Sequence, residues 1–249
     1  MSRIVTRRQV LTGATALSGL LLSGCRPETY VPPNFRRNLV GVSDVLTMAT
    51  HRLLLAGQKP APEYSVADIS RGFPAEGTTN PQDETYQRLL HGGFREWRLP
   101  VLGRVNRPLS LSLDDIRRIP ARTQITSHSC EKGWTAIAQW TGAPLAEVLR
   151  PAGLHSTARY VMFEAVDGWY DSLDLFDVVH PQTILAYGMN GKELTVPHGA
   201  PVRLRVERHV GYKSIKFIKA IHVVASIEEY KTGHPSVHAE YDWHWYAGA

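Results

Sequence analysis

Cysteine is scarce in this sequence, with only Cys25 and Cys130 among 249 residues. The paired cysteines and His-Glu-x-x-His spacing of zinc sites are absent, as is the Cys-x-x-Cys-His of covalent haem. The glycine-rich fingerprint of dinucleotide sites and the P-loop are also missing. No basic stripe with interleaved aromatic residues is present, so nothing indicates a nucleic-acid partner. These absences argue against the commonest metal and nucleotide sites and leave Cys130 as the residue to explain.

The composition is that of a globular protein with a substantial core. Hydrophobic residues make up 43% of the chain and charged residues 20%, which fits neither a disordered nor a fibrous protein. The formal net charge is +5, but three arginines and no acidic residue lie in the first 24 positions. The remainder is therefore close to neutral, which is compatible with a local basic pocket for a phosphorylated cofactor.

The first 25 residues have the pattern of an export signal. Arg7 and Arg8 precede an apolar stretch at positions 10–22, and this pair resembles the twin-arginine export motif. Leu22-Ser23-Gly24-Cys25 resembles a lipobox, which would make Cys25 a lipidated N-terminus. We therefore expect a signal over residues 1–25, a proline-containing linker over 26–39 and one domain over 40–249. The predicted location is the periplasm, with a lipid anchor on a membrane surface.

The pattern of predicted elements indicates an α+β domain. A helix is predicted over residues 43–56, and residues 58–82, rich in proline and glycine, are expected to be extended. Asn190-Gly191 is a strong hairpin signal. Ser112 is predicted to open a short helix with a capping box, and Ser172 is predicted to cap another helix. Short strands mix with short helices without regular alternation, which favours mixed sheets over a doubly wound fold.

Cys130 lies in a strand-to-turn stretch, residues 125–134, and has three possible roles. A free cysteine is commonly a small buried hydrophobe. It could also be a nucleophile paired with His128, which points to the same side of an extended strand. The third role is a metal ligand. If the protein is exported to an oxidising compartment, we expect the unpaired Cys130 to be either a ligand or well shielded from oxidants.

A second informative stretch covers residues 198–217. Arg203, Lys213 and Lys216 offer donors to a phosphate, and Gly199 and Gly211 allow a close approach of the backbone. Alone, this stretch could equally be a solvated basic strand edge.

Together the two stretches resemble the molybdopterin-dependent oxidoreductases of the sulfite oxidase family. The likeness is greatest to exported bacterial members related to the catalytic subunit of periplasmic methionine sulfoxide reductase. Matching segments occur in order over residues 40–248, and those that carry the resemblance are residues 97–109, 124–134, 140–145, 170–174, 180–186, 190–191, 198–204, 211–213 and 241–248. The ordered combination is specific, although each short segment is not.

The resemblance implies a mixed-sheet fold and a molybdenum–molybdopterin cofactor, with Cys130 as the metal ligand. A soft thiolate suits a redox-active metal. The cofactor-contacting residues implied by position or by their donors are His198, Arg203, Lys213, Ser214, Ile215 and Lys216, with Asn80 and Ala165 at further matching positions. The residues predicted to line the reaction site are His128 and Tyr170, with Trp169 and Tyr187 as further possibilities.

The implied activity is transfer of an oxygen atom and two electrons to or from a small molecule, with the cofactor performing the redox step. We expect a sulfur or nitrogen oxide as the substrate and an external electron partner, such as a membrane-bound haem protein. One alternative is oxidation of sulfite, which an arginine-lined anion pocket would favour, whereas an apolar or aromatic pocket favours organic sulfoxides or N-oxides. Another is a lipoprotein binding module of the same fold without the cofactor.

Overall fold

The structure is a computed structural model that describes residues 33–54, 60–231, 233–241 and 243–248. The predicted export signal and lipobox lie outside these residues. Contacts between Cα atoms divide the chain into Met1–Leu39 and Val40–Ala249. The architecture below is that of the second unit.

Two mixed or antiparallel sheets form the frame of the domain. The strands in the described ranges are β1 (Arg98–Gly103), β2 (Leu109–Ser112), β3 (Arg122–Ser129), β4 (Thr135–Pro144), β5 (Tyr160–Ala165), β6 (Tyr170–Asp174), β7 (Ile184–Met189), β8 (Lys192–Glu193), β9 (Arg203–Arg205) and β10 (Ile218–Val224). The first sheet has the order β2-β1-β10-β5-β6, with β1 and β10 parallel and the other pairs antiparallel. The second has the order β3-β4-β7-β8, and β9 also pairs with β7.

Helices are few and mostly short. The α-helices in the described residues are α1 (Pro33–Leu54), α2 (Glu84–His91), α3 (Leu113–Arg118), α4 (Leu145–Leu149), α5 (Leu175–Val178) and α6 (Val237–Glu240). None of the described helices is both long enough and apolar enough to cross a membrane. Mixed sheets with short helices confirm the predicted α+β class.

The main hydrophobic core draws side chains from both sheets. Its fully buried members include Leu99 on β1, Phe163 on β5 and Ile221 on β10 from the first sheet, and Leu185 on β7 and Leu204 on β9 from the second. Burial of this apolar surface is the largest favourable contribution to folding. The core therefore fixes the two sheets to each other, and with them the loops at the strand ends.

Strand β3 carries a polar face into the interior. Its alternating pattern buries Gln124, Thr126 and His128, and Cys130 follows with the same two-residue period. β3 pairs with β4 in an antiparallel hairpin along its whole length. This pairing holds the end of β3 rigidly, which positions the cysteine.

Two turn and cap predictions are confirmed by the local geometry. Asn190 and Gly191 adopt positive φ angles of 50° and 74° between β7 and β8, as a two-residue hairpin turn requires. Ser112 caps α3, where it exchanges hydrogen bonds with Asp115 in a capping box.

Two other predictions of local structure are wrong. Ser172 does not cap a helix, because it lies within β6; Asp174 caps α5 instead and accepts a hydrogen bond from the Asp177 amide. Helix α1 begins at Pro33 rather than at Ser43, so residues 33–39 of the expected linker are helical. Proline suits a first helical position, since the amide proton that it lacks has no partner there.

Candidate active site

Cys130 lies at the tip of the β3–β4 hairpin, where a tight turn fixes it. Its amide donates to the Trp134 carbonyl (2.8 Å), and its carbonyl accepts from the Gly133 amide (3.0 Å). Gly133 has a φ of 87°, in the left-handed region that favours glycine. The Cys130 side chain is 9% exposed and lines a cavity of about 270 Å³. The thiol is therefore shielded without being enclosed in hydrocarbon.

The residues around the cavity come from six separate parts of the chain. They are residues 73–78, residues 128, 130–132 and 134, residues 167 and 169–171, residues 197, 198 and 203, residues 211, 212 and 214–216, and residue 238. A cavity of this size approaches the lower end of the range for small-molecule sites.

Two cations, the buried Arg203 and the partly buried Lys216, line this cavity without a carboxylate partner. Arg203, on β9, donates to the carbonyls of His198 (3.1 Å) and Ser214 (2.7 Å), and its Nε has no hydrogen-bond partner among the described residues. Lys216 donates to the carbonyls of Glu76 (2.7 Å) and Pro197 (3.0 Å). Neither cation forms an ion pair with a described carboxylate. Buried charge without a counter-ion is unfavourable, so this pair fits an anionic ligand such as a phosphate.

The lowered pKa values of the basic groups at this site also indicate an excess of positive charge. Burial, followed by the charge of Arg205, lowers the pKa of Arg203 to about 9. Burial, followed by the charge of Arg203, lowers the pKa of Lys216 to about 8 and that of His198 below its ordinary value. A bound anion would favour the charged forms of Arg203 and Lys216 and so raise their pKa values again.

His128 is held as a neutral imidazole of one defined tautomer. Arg205 donates from Nη1 to Nδ1 of His128, and a guanidinium has only donors, so the ring proton lies on Nε2. Arg205 is fixed in turn by Glu207, with contacts of 2.6 and 3.2 Å. Burial, then the charges of Arg205 and Arg203, lowers the pKa of His128 to about 2. His128 therefore offers a hydrogen-bond donor, not a positive charge.

Gly211 is required where the backbone approaches the His128 ring. A Cβ atom built on Gly211 would collide with that ring and would lie 3.1 Å from the Ser129 carbonyl oxygen. The turn that carries Ser214 and Ile215 into the cavity wall can therefore come this close only with glycine at position 211.

An aromatic group lines another part of the cavity. The ring centroid of His238 lies 4.4 Å from that of Tyr212 and 4.9 Å from that of Trp169. The Tyr170 hydroxyl donates to a carboxylate oxygen of Glu240. Among the described lining residues, Arg203 is the single arginine.

A carboxylate lies directly beside the thiol. Cys130 Sγ donates to Glu131 Oε2 at 3.4 Å. Burial first, then this hydrogen bond and the Glu131 charge, raise the pKa of the Cys130 thiol, although a backbone hydrogen bond from Lys132 opposes the shift. A thiolate at this position therefore requires a nearby cation, and a bound metal ion supplies one.

Most of the residues predicted from sequence meet in this one cavity. Those that line it are His128, Cys130, Trp169, Tyr170, His198, Arg203, Ser214, Ile215 and Lys216. Of the other residues expected around the site, four do not line it. Lys213 is buried, where it bonds to Asp171 and to the Ser172 carbonyl (2.8 Å). Ala165 is buried in β5, Asn80 is exposed, and Tyr187 packs against the main core. Cofactor contacts by Lys213, Ala165 and Asn80 stay predictions.

Sequence reasoning missed three parts of the site. Phe73 lies over the cavity, with its ring centroid 5.3 Å from that of His128 and 5.8 Å from that of His198. Glu76 accepts from Trp134 Nε1 (3.2 Å) and from Lys132. His238 comes from the C-terminal helix. The first two lie in a segment with no local signal beyond proline and glycine, and none of the three has a distinctive neighbouring motif.

Residues 89–231 match the family model described as the oxidoreductase molybdopterin binding domain. This chain belongs to that family. It is therefore an oxidoreductase with a molybdenum–molybdopterin cofactor, as predicted. The match covers more than half of the chain, including every strand from β1 to β10.

Curated relatives agree with the family match. The chain is 36% identical over 242 residues to the protein-methionine-sulfoxide reductase catalytic subunit MsrP of Xanthomonas campestris pv. campestris, with 90% of this chain and 71% of the relative covered. It is 35% identical over 166 residues to the "Putative protein-methionine-sulfoxide reductase subunit YedZ1" of Azospira oryzae, with 67% of this chain covered. The chain spans 62% of the Azospira protein.

A solved structure shows the same fold. The sulfane dehydrogenase SoxCD from Paracoccus pantotrophus aligns with a TM-score of 0.50 and 24% identity, over 54% of this chain and 40% of that one. This likeness shows the fold, and the family match with the curated relatives confirms the predicted membership of the sulfite oxidase family.

The residues of this molybdopterin-binding domain fit the cofactor. Cys130 is the candidate for the metal ligand, and Arg203 and Lys216 are unpaired cations suited to the anionic part of the group. Within the described residues, no group of three or more His, Cys, Asp or Glu side chains could hold a metal ion. A single protein ligand is sufficient where the cofactor supplies the others. When bound, the cofactor supplies exchange of an oxygen atom and two electrons.

Proposed function

We propose that this molybdopterin oxidoreductase reduces an organic sulfoxide, with methionine sulfoxide as the preferred class. The sulfoxide takes up two electrons and two protons, its S–O bond breaks, and a thioether and water are released. The curated relatives named as methionine sulfoxide reductases support this direction.

The observation that carries the proposal is the carboxylate beside the thiol. Glu131 lies 3.4 Å from Cys130 Sγ, and the neighbouring Lys132 is turned to Glu76. A carboxylate repels an anion such as sulfite but tolerates a neutral sulfoxide. The aromatic side chains of Trp169, Tyr212 and His238 suit an apolar thioether group better than an ion.

Protein groups near the site are suited to binding and to proton movement. The Nε2–H of neutral His128 can orient a polar oxygen. Tyr170, which is bonded to Glu240, lies in the same wall and is the candidate for handling a proton. Electrons come from an external partner, in keeping with the expectation of a membrane-bound haem or other redox protein.

The experiment compares both directions of reaction on one preparation. Protein matured in its own export pathway is assayed for reduction of methionine sulfoxide with a reduced viologen dye, and for oxidation of sulfite with ferricyanide. We expect sulfoxide reduction and little sulfite oxidation. Replacing Glu131 with Gln should raise the affinity for sulfite, and Glu96→Gln, which changes a carboxylate that does not line the cavity, is the matched control. Rapid sulfite oxidation by the unmodified protein would contradict the proposal.

We further propose that the protein is exported by the twin-arginine route and anchored through lipid on Cys25. The support is the sequence pattern of residues 1–25 alone. Changing Arg7 and Arg8 to Lys should leave the precursor in the cytoplasm, and Cys25→Ala should abolish incorporation of labelled fatty acid. Unchanged export or labelling in these variants would refute the corresponding part.

A further inference from the structure

Helix α1 faces the protein with its polar side. Three polar side chains of residues 42–54 bond to the rest of the domain: Asp44 to His244 (2.9 Å) and to the Trp245 amide (3.0 Å), His51 to the Tyr246 hydroxyl (2.6 Å), and Arg52 to Asp174. Their spacing of seven and eight residues places them on one side of the helix. The helix is thus held by specific polar contacts with the C-terminal segment and β6.

The opposite side of α1 is apolar and exposed. Val42 and Val45 are each 59% exposed, Leu46 is 63% exposed and Leu53 is 78% exposed. With Ala49, these residues occupy roughly 100° of the helix circumference. We call them the apolar stripe. A helix on a globular protein normally turns such a stripe inward, so the usual arrangement is reversed here.

Contiguous exposed apolar residues mark a surface that something else covers. We propose that the apolar stripe lies in the headgroup layer of a membrane, parallel to its surface. A helix with one exposed apolar side, as residues 42–54 have, can lie in the membrane interface.

The position of the stripe along the chain favours lipid over other partners. Seven residues, 26–32, separate Cys25 from the start of α1. Fully extended, they span at most about 25 Å, so a lipid on Cys25 keeps the helix close to the bilayer. Residues 26–41 contain three arginines and one acidic residue, which favours anionic lipids. The inference goes beyond the proposed chemistry and rests on the proposed export and on the proposed lipid anchor at Cys25.

The test measures membrane binding by the apolar stripe separately from binding by the lipid anchor. Full-length protein from host membranes, with a specific protease site in place of residues 27–32, is reconstituted into protein-free vesicles of phosphatidylethanolamine and phosphatidylglycerol. After cleavage, flotation measures how much of the domain stays on the vesicles. We expect retention for the unmodified stripe and about a tenfold or greater loss for Leu46→Ser with Leu53→Ser.

Val66→Ser is the matched control, because Val66 is apolar and 70% exposed but lies outside α1. It should be retained like the unmodified protein. All variants should keep the same melting temperature, since side chains this exposed contribute little to the core.

Three results would overturn the proposal. The unmodified domain could be released as fully as the double variant. It could be retained on native membranes but not on protein-free vesicles, which would indicate a membrane protein as the partner. It could also form a dimer that the double variant does not form, without binding vesicles. Mass spectrometry of the N-terminal peptide tests the lipid on Cys25 separately, so failure of the anchor and failure of the stripe are distinguishable.

Discussion

Cys130 combines shielding with access to the cavity, and its surroundings disfavour the thiolate unless a cation is close. Burial and the adjacent Glu131 raise the pKa of the thiol. A cysteine nucleophile normally has the opposite environment, since a lowered pKa is what activates it. His128 cannot lower the pKa of the thiol by acting as a cation, because its own pKa is about 2. The site therefore suits a metal ligand better than a hydrolytic nucleophile.

Arg205 is the side chain that joins His128 to the buried acid Glu207. The Arg205 and Glu207 side chains are 1% and 0% exposed. Arg205→Met should destabilise the domain by about 3–5 kcal/mol, because it leaves the buried carboxylate of Glu207 without its positively charged partner. Urea unfolding of purified protein measures the change.

Arg104→Met is the matched control for that experiment. Arg104 pairs with Glu229 at the surface, where both side chains are partly exposed. Such pairs contribute little, so the control should unfold at the same urea concentration as the unmodified protein. Equal stability of Arg205→Met and Arg104→Met would show that the buried pair is not the contact described.

Lys216 predicts a pH dependence of the cofactor-free protein. Burial, then the charge of Arg203, lowers its pKa from 10.5 to about 8. Between these values the unfolded chain binds more protons at this site than the folded chain, so the free energy of unfolding rises with pH. Compared with Lys216→Met, the unmodified protein should gain stability as the pH rises from 8 to 10.5. Thermal melts of both proteins across this range measure the difference.

A bound anion should remove this effect, because it restores the ordinary pKa of the lysine. The cofactor-loaded protein should therefore show a smaller difference from Lys216→Met. A cofactor-free protein whose stability falls relative to the variant over this range would show that Lys216 is not a partly buried cation without a carboxylate partner.

At the scale of elements, residues 73–78 form part of the cavity wall and are held there by contacts with distant residues. Glu76 accepts from Lys132 and from Trp134, while the Glu76 carbonyl accepts from Lys216. Glu76→Gln should weaken the ionic contact and increase local opening of this segment. Hydrogen exchange of residues 73–78 should quicken by about two- to fivefold, the range for an exposed ion pair.

Glu84→Gln is the control, since Glu84 lies in α2 and does not line the cavity. It should leave exchange in residues 73–78 unchanged. If Glu76→Gln also leaves exchange unchanged, the contacts with Lys132 and Trp134 do not hold the segment.

Local sequence predicts the elements whose determinants are local. The alternation of β3 correctly placed His128 and Cys130 on one side, and Asn190-Gly191 gave the hairpin between β7 and β8. The cap assigned to Ser172 was wrong because Asp174, two residues later, is also a good cap and precedes the observed helix. Where two cap residues compete, pairing of β6 with β5 decides the outcome.

Residues whose positions depend on distant contacts could not be predicted. Glu76 reaches Lys132 across 56 positions, and no motif signals that contact. Lys213 carries the positive charge expected of a phosphate-binding residue. Its buried ammonium group donates to Asp171 instead. The resemblance to a family gave the remaining site residues, because it carries long-range information that a single sequence lacks.

At the scale of the whole molecule, the cavity is a product of the complete fold. Its walls come from six parts of the chain, and the core between the two sheets fixes their relative positions. Removing the Cys130 side chain should therefore leave the fold intact, because the residue lies at a hairpin tip and not in the core. Cys130→Ala should lose redox activity and keep the melting temperature of the unmodified protein to within a few degrees.

The most direct test is the content of molybdenum and pterin in protein matured by its own export pathway, with sulfoxide reduction measured on the same samples. The account predicts about one molybdenum with one pterin per chain, and sulfoxide reduction that is lost in a folded Cys130→Ala variant. Unmodified protein without molybdenum, or a Cys130→Ala variant that reduces sulfoxide normally, would contradict it.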